Sequence, residues 1–207
     1  MVNVKTMKNL EVTIPKTPES IFDELFEHQR NLILRYKEVE DLGQLDGYGH
    51  LKSIQTKKHQ RTLKEFAWRT TEELMELLEA EGDKEHVLEE LADSLHFLIE
   101  MCILSGIESK TIRYEAIEMM EEKTRMSLKE TILGFVYLLG LSCNVLKNKP
   151  WKTSELITDE NKYLERLKEA FVSWWNIPVA LGTDLNTVYL YYCLKNKVNN
   201  FRIDTKY

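Results

Sequence analysis

Glu72-Glu73-Leu74-Met75-Glu76 and, fourteen residues past its last acid, Glu90-Leu91-Ala92-Asp93 are the two stretches on which the reading of this chain turns. Each holds carboxylates three residues apart, so on a helix each pair lies on one side, a turn apart. Only Glu81-Gly82-Asp83-Lys84 breaks the pattern between them. A break that short makes antiparallel neighbours, and the two acidic steps can then face each other. Facing carboxylates repel unless cations sit between them. Oxygen-only ligands suit Mg²⁺, which keeps several waters and completes its shell with substrate phosphates. A solvated helix face is the plainer account of an EExxE string alone. The second step resists that account. Residues Leu88, Leu91, Ala92, Leu95, Ile99 and Cys102 form one apolar stripe, while Glu90 and Asp93 fall in line with Phe97, Met101 and Leu104. Residues 95–104 are apolar nearly all round, the mark of a buried helix. Glu90 and Asp93 therefore open a second packed face, where an unneutralised carboxylate pair is costly.

The 207 residues are enough for one domain with a sizeable core. Net charge is −6 with both signs spread along the chain, so nothing points to a duplex-binding surface or a nucleic-acid partner. Cys102, Cys143 and Cys193 are far apart in apolar helical contexts and read as reduced thiols of a cytosolic protein. The N-terminus lacks the apolar core of a signal peptide, and no stretch is expected to make a membrane span. With 8 Gly and 4 Pro, long helices are expected.

Residues 1–16 read as an extended arm in which Val12-Thr13-Ile14 makes a short strand or nothing. Thr17-Pro18-Glu19 is a helix start, with a capping Thr and Pro at the first helical position; that helix is expected to reach about Asp41. Gln29 lies on its apolar stripe, as either a satisfied core amide or a group able to donate and accept toward a base. Further helices are expected over 58–80, 84–105, 108–126, 127–147 and 155–175. The last begins at the cap Thr183-Asp184 and runs to about Arg202. Its stripe changes from Leu185, Val188, Tyr189 and Tyr192 to Lys195, Asn199 and Arg202. That change fits either a helix emerging into solvent or a phosphate-bearing ligand over the polar half.

Taken together, EExxE and ExxD on adjacent helices resemble the all-α nucleotide pyrophosphohydrolase superfamily, which includes the MazG-like enzymes. Glu90-Leu-Ala-Asp93-Ser-Leu-His96-Phe97 looks like the ExxDxxHF form of the dimeric dUTPases and phage dCTP/dUTP pyrophosphatases. The closing string from Lys195 to Tyr207 resembles their KNxxNxxRQDxGY motif, with Lys195, Asn196, Asn199, Arg202, Asp204 and Tyr207 in register. Ile203 and Lys206 depart from it, and residues 77–89 lack the Trp that phage relatives often carry there. The resemblance covers roughly 19–105 and 183–207, leaving 106–182 as a variable helical insertion in a single domain.

What the resemblance implies is an all-α helical bundle with an antiparallel metal-binding helix pair. It implies hydrolysis of a pyrimidine deoxynucleoside triphosphate, dUTP and/or dCTP, to dNMP and pyrophosphate by a cytoplasmic homodimer, a phage-encoded protein in a host included. Glu73, Glu76, Glu90 and Asp93 would hold two or three Mg²⁺, with Mn²⁺ as a substitute. Glu76 or Glu73 would take the proton of the attacking water. Gln29 would read the base, Lys195 and Arg202 the phosphates, and Asn196 or Asn199 the sugar, with Tyr207 over base or sugar. His96 is expected as a core or supporting group. A tail at 200–207 that orders only over bound nucleotide is a further expectation. The alternatives are an enzyme for another dNTP such as dTTP or a modified nucleotide, a non-catalytic helical interaction module, and a di-iron carboxylate protein. The last needs a second Glu-x-x-His, which the remaining histidines do not supply. Residue types alone do not separate dUTP from dCTP or dTTP.

Overall fold

The computed structural model describes residues 11–37, 39–122 and 126–205. They fold as α1 (Pro18–Tyr36), α2 (Lys57–Glu79), α3 (Lys84–Leu104), a 3₁₀ turn (Ser109–Thr111), α4 (Arg113–Glu121), α5 (Leu128–Val145), α6 (Glu160–Trp174), the short α7 (Asn176–Ala180) and α8 (Leu185–Thr205). The fold is all-α. Among the described residues the only β-type pairing is an isolated bridge between Leu45 and Leu51, and residues 11–15 are coil, not strand.

The helix starts are set by side-chain caps that satisfy otherwise orphaned amides. Thr17 takes the Ser20 amide at 3.2 Å, ahead of Pro18. Asp83 takes those of Glu85 and His86 at 3.1 and 3.3 Å. Ser127 and Glu130 form a reciprocal capping box, and Asp184 holds the Thr187 amide at 2.7 Å. Gly82, at φ +108°, reverses the chain between α2 and α3 in a conformation that a side chain would strain. The hinge lays α2 antiparallel along α3, the most extensive helix contact in the molecule.

α1 and α8 pack on the other side of α3, so α3 is central. Leu95, Leu98, Ile99, Met101, Cys102, Ile103 and Leu104 are all fully buried. Helix α1 stops at Tyr36, short of the expected Asp41. The chain turns there and delivers Glu40 to Arg69 at 3.0 Å and Asp41 to Lys58 at 2.6 Å, both on α2.

Helices α4–α7 form the region expected as an insertion, and they share the apolar core rather than hanging from it. Trp174 and Trp175 are fully buried; Trp175 packs 4.8 Å from the Phe22 ring, and Trp174 donates to Ser94 at 3.2 Å. The expected helix over 108–126 is reduced to the 3₁₀ turn and α4, and α6 begins at Glu160, not 155. Asn148 ties the intervening loop down. It receives Leu156 N–H at 2.7 Å and gives its own amides to Gln55 O and Gln60 Oε1. Helix α5 differs from the sequence expectation in another way. By length and composition it is long and apolar enough to cross a membrane, and only 33% of it is buried, with Leu133 and Tyr137 open to solvent.

Candidate functional site

The α2–α3 hairpin brings Glu73, Glu90 and Asp93 together: one carboxylate oxygen of each lies within 4.8 Å of the others. The i,i+3 spacing on α3 and the antiparallel register against α2 are sufficient to produce this convergence. Glu76, one turn further along α2, is exposed and stands outside the trio, though its charge still reaches Glu73.

The electrostatics record the crowding. Burial, a carboxyl hydrogen bond with Glu90, and the charges of Asp93, Glu90 and Glu76 push Glu73 up to about 9. Burial pushes Asp93 up to about 6 even though Lys195 pulls the other way. Burial and like-charge crowding thus favour the protonated form of each of these carboxyls. An all-oxygen cluster of such excess negative charge fits a hard divalent cation, so the donor set suits Mg²⁺. Two side chains already contact it. Lys195 from α8 makes an ion pair with Asp93. His86 meets Glu90 at 2.8 Å. Burial works to lower Lys195, but Asp93, Glu90 and Glu89 outweigh it and raise its affinity for its proton.

Beside the trio opens a cavity of about 250 Å³ between α1, α2, α3 and α8. Asp93, Phe97 and Glu100 run along its α3 wall at i, i+4 and i+7. Lys195, Asn199 and Arg202 line the α8 wall, as the change of character along that helix anticipated. Gln29 reaches the floor from α1. It is buried and paired at both amide atoms: its nitrogen donates to Glu100 Oε2 at 2.8 Å, and its oxygen receives Tyr192 O–H at 2.8 Å. Arg69 closes one end, bonded to Glu40 and lying 5.3 Å and 5.6 Å from the Phe66 and Phe97 ring centres.

His96 stacks on Tyr192 at 3.8 Å, and its Nδ1–H donates to Ala92 O at 2.8 Å. Burial lowers it to about 3, so the ring is neutral and Nε2 is an acceptor, buried in the cavity wall without a partner among the described residues. His96 is not one of the converging acids, which leaves the acid-x-x-His spacing of the di-iron alternative without a shared centre among the described residues.

Two sequence candidates fall elsewhere. Asn196 sits on a different face of α8 from Lys195 and lines a separate cavity with Glu24, His28 and Tyr189, so the structure does not bring it to the acids. Tyr207 lies outside the described residues. The tail expected to be loose is helix through Thr205, and Arg35 bonds Asn200 and Asp204; α1 therefore fastens residues 200–205 without any ligand. Sequence reasoning missed Glu100, Arg69 and Glu40. The signal for Glu100 was present: an acid inside an otherwise apolar, buried helix needs a reason.

A family model described as dUTPase matches residues 77–207, well over half of the chain. The match includes Glu90, Asp93 and the whole of α8, and it runs continuously through 106–182. It begins just after Glu76, so Gln29 and the first acidic step lie ahead of it. No curated protein and no solved structure matches the chain significantly. An all-α bundle, a carboxylate trio beside a cation-lined cavity and this match agree: the chain belongs to the all-α dUTPase family, whose members are nucleotide hydrolases.

Proposed function

We propose that this protein is a Mg²⁺-dependent pyrophosphohydrolase of pyrimidine deoxynucleoside triphosphates, dUTP and/or dCTP, releasing dNMP and pyrophosphate. The observation that carries the reading is the meeting of Glu73, Glu90 and Asp93 within 4.8 Å beside a cavity lined by Lys195 and Arg202. Glu73, Glu90 and Asp93, with Glu76 from the solvent side, would hold the metal. Bound Mg²⁺ would neutralise the triphosphate and lower the pKa of a water. Glu73 and Glu76 are the candidates to receive that water's proton; the crowded, half-buried Glu73 holds a proton more strongly than an ordinary carboxyl.

Lys195 leaves Asp93 for phosphate oxygens once the acids have another counter-charge, and Arg202 binds phosphate from the next turns of α8. Asn199, between them on the same face, lies against the sugar. The paired Gln29 is a positioned amide at the base end, its orientation set by Tyr192. We further propose a homodimer in the cytoplasm, with the one-third-buried α5 as part of the covered surface. The direct test is to incubate the protein with each dNTP and millimolar Mg²⁺ and measure pyrophosphate. Pyrophosphate from dUTP or dCTP, abolished by chelation, is expected; orthophosphate alone, or no release from any dNTP, overturns the reading.

A further inference from the structure

We propose that Glu100 is a specificity-determining residue: its carboxyl donates a hydrogen bond to the 4-oxo group of the substrate's base and so favours a 4-oxopyrimidine over cytosine. The inference rests on the proposed function and concerns the part of the cavity farthest from the acids.

Placement comes first. Glu100 is seven residues past Asp93 on the same wall of α3, about 10 Å along the helix axis. That is comparable to the reach from the α-phosphate of a nucleotide to the far edge of its pyrimidine. With phosphates at the acids and Lys195, the base arrives at Glu100. The residue is also almost completely enclosed, with 7% of its surface open, and it lines the cavity.

The hydrogen bonds then decide which oxygen carries a proton. Tyr192 Oη lies 2.8 Å from Gln29 Oε1 and 3.2 Å from Leu25 O, and donation over the shorter contact orients the Gln29 amide so that its NH₂ faces Glu100. Gln29 Nε2 donates to Glu100 Oε2 at 2.8 Å, so Oε2 is the accepting oxygen. Oε1 has no hydrogen-bond partner among the described residues, which leaves it available to a ligand in the cavity that Glu100 lines. In a neutral carboxyl arranged this way Oε1 is the O–H, a donor. Burial and the nearby Glu40 charge push Glu100 up to about 8, against the opposing effects of Arg69 and the Gln29 bond. At neutral pH the group is therefore an acid that can donate, the form an ordinary glutamate does not take. The titratable and charged groups around it are Tyr36 at the end of α1 and Glu40 in the turn after it, Arg69 and Glu73 from α2, Tyr192, Lys195 and Arg202 from α8, and Asp93 and His96 on α3 itself.

A donor at this point matches the 4-oxo acceptor of uracil or thymine and meets the 4-amino donor of cytosine head-on. A buried polar edge that meets the wrong group is left unpaired, which is how such sites discriminate. Ionised, Glu100 only accepts, and the preference moves toward the 4-amino base.

The test is kcat/KM for dUTP and dCTP, in Mg²⁺, over pH 6.5–9, for the wild type, Glu100→Gln and Glu100→Met. The ratio of the two substrates cancels titration of the acids, which both share. The wild type is expected to prefer dUTP at pH 7, with the ratio falling as pH passes 8. In Glu100→Gln the amide keeps a donor toward the cavity and cannot ionise, so the ratio is expected to stay in favour of dUTP and to be flat with pH. Glu100→Met is expected to lower the ratio about 10- to 100-fold through loss of the donor. Melting temperatures confirm that each variant folds, and should the Met variant fail to, the Gln variant and the wild-type pH profile still decide. A wild type that prefers dCTP at pH 7, a pH-dependent ratio persisting in Glu100→Gln, or an unchanged ratio in folded Glu100→Met overturns the role of Glu100 alone. A wild type that hydrolyses no dNTP overturns the proposed function and this inference with it.

Discussion

Replacing Lys195 by Met isolates the charge that α8 brings to the acids. Met retains most of the stem length, so packing changes little and the perturbation is the loss of one ammonium. In the metal-free protein Lys195 pairs with Asp93, and both side chains are only 15% exposed. Removing one partner of a buried pair costs about 3–5 kcal/mol; the residual exposure puts this case at the low end, about 3 kcal/mol. For a chain of this size that corresponds to a fall of about 6–12 °C in Tm.

The sign with pH follows from Asp93, whose folded carboxyl is raised to about 6 from an ordinary 3.8. Its ionised form is the costly one in the native state, and losing Lys195 raises it further. The destabilisation is then full at pH 8 and shrinks at pH 5, where Asp93 takes a proton instead. Millimolar Mg²⁺ at pH 8 should also shrink it, by supplying the missing positive charge. The assay is thermal melting of wild type and Lys195→Met at pH 5 and at pH 8, with chelator and with Mg²⁺. A loss of the same size under all conditions would show that the Lys195 stem, not its charge on Asp93, is what matters, and would refute the argument.

Other consequences follow from the same site. Glu73→Gln and Asp93→Asn should each abolish hydrolysis while the helical circular dichroism is retained, since each removes a charge from the trio without changing its shape; turnover near that of the wild type by either would exclude these acids. Without metal, stability should fall as pH rises from about 4 to 9, because Glu73, Glu100 and Asp93 all bind protons more tightly folded than unfolded, at about 9, 8 and 6. Mg²⁺ should flatten that slope above pH 6 and raise Tm there, as a ligand of the native state alone; identical melting profiles with Mg²⁺ and with chelator would count against a metal site. Light scattering should give a dimer mass at micromolar concentration, and Leu133→Glu with Tyr137→Glu should shift it to monomer; a wild-type mass near 24.4 kDa would reject the dimer.

The parts of this architecture that were legible in the sequence are those set by local spacing. Paired acids at i,i+3, a four-residue hinge with Gly82, and caps at Thr17 and Asp184 fix helix faces and directions without reference to distant residues. The same reasoning grouped Lys195, Asn199 and Arg202, and these line one cavity. What was not legible depends on partners far along the chain. Helix α1 ends at Tyr36 because Glu40 and Asp41 are drawn to Arg69 and Lys58, which periodicity cannot reveal. Residues 200–205 were read as a loose tail because the pull of Arg35, 165 and 169 residues away from Asn200 and Asp204, is invisible locally. Asn196 sits in the closing motif beside Lys195, yet one residue turns the helix by about 100°, and its side chain goes to another cavity. Glu100 was overlooked for the opposite reason: the apolar run around it was read as a whole, and its one acid was averaged away.

The central claim is that the acids of α2 and α3 direct a water to the α-phosphorus of a deoxynucleoside triphosphate. Hydrolysis of dUTP and dCTP in ¹⁸O-labelled water with Mg²⁺, followed by mass spectrometry of both products, tests it most directly. The account predicts one ¹⁸O in the dNMP phosphate and none in pyrophosphate, with no turnover by Glu73→Gln. Label in pyrophosphate or orthophosphate, or full turnover by that variant, would contradict it.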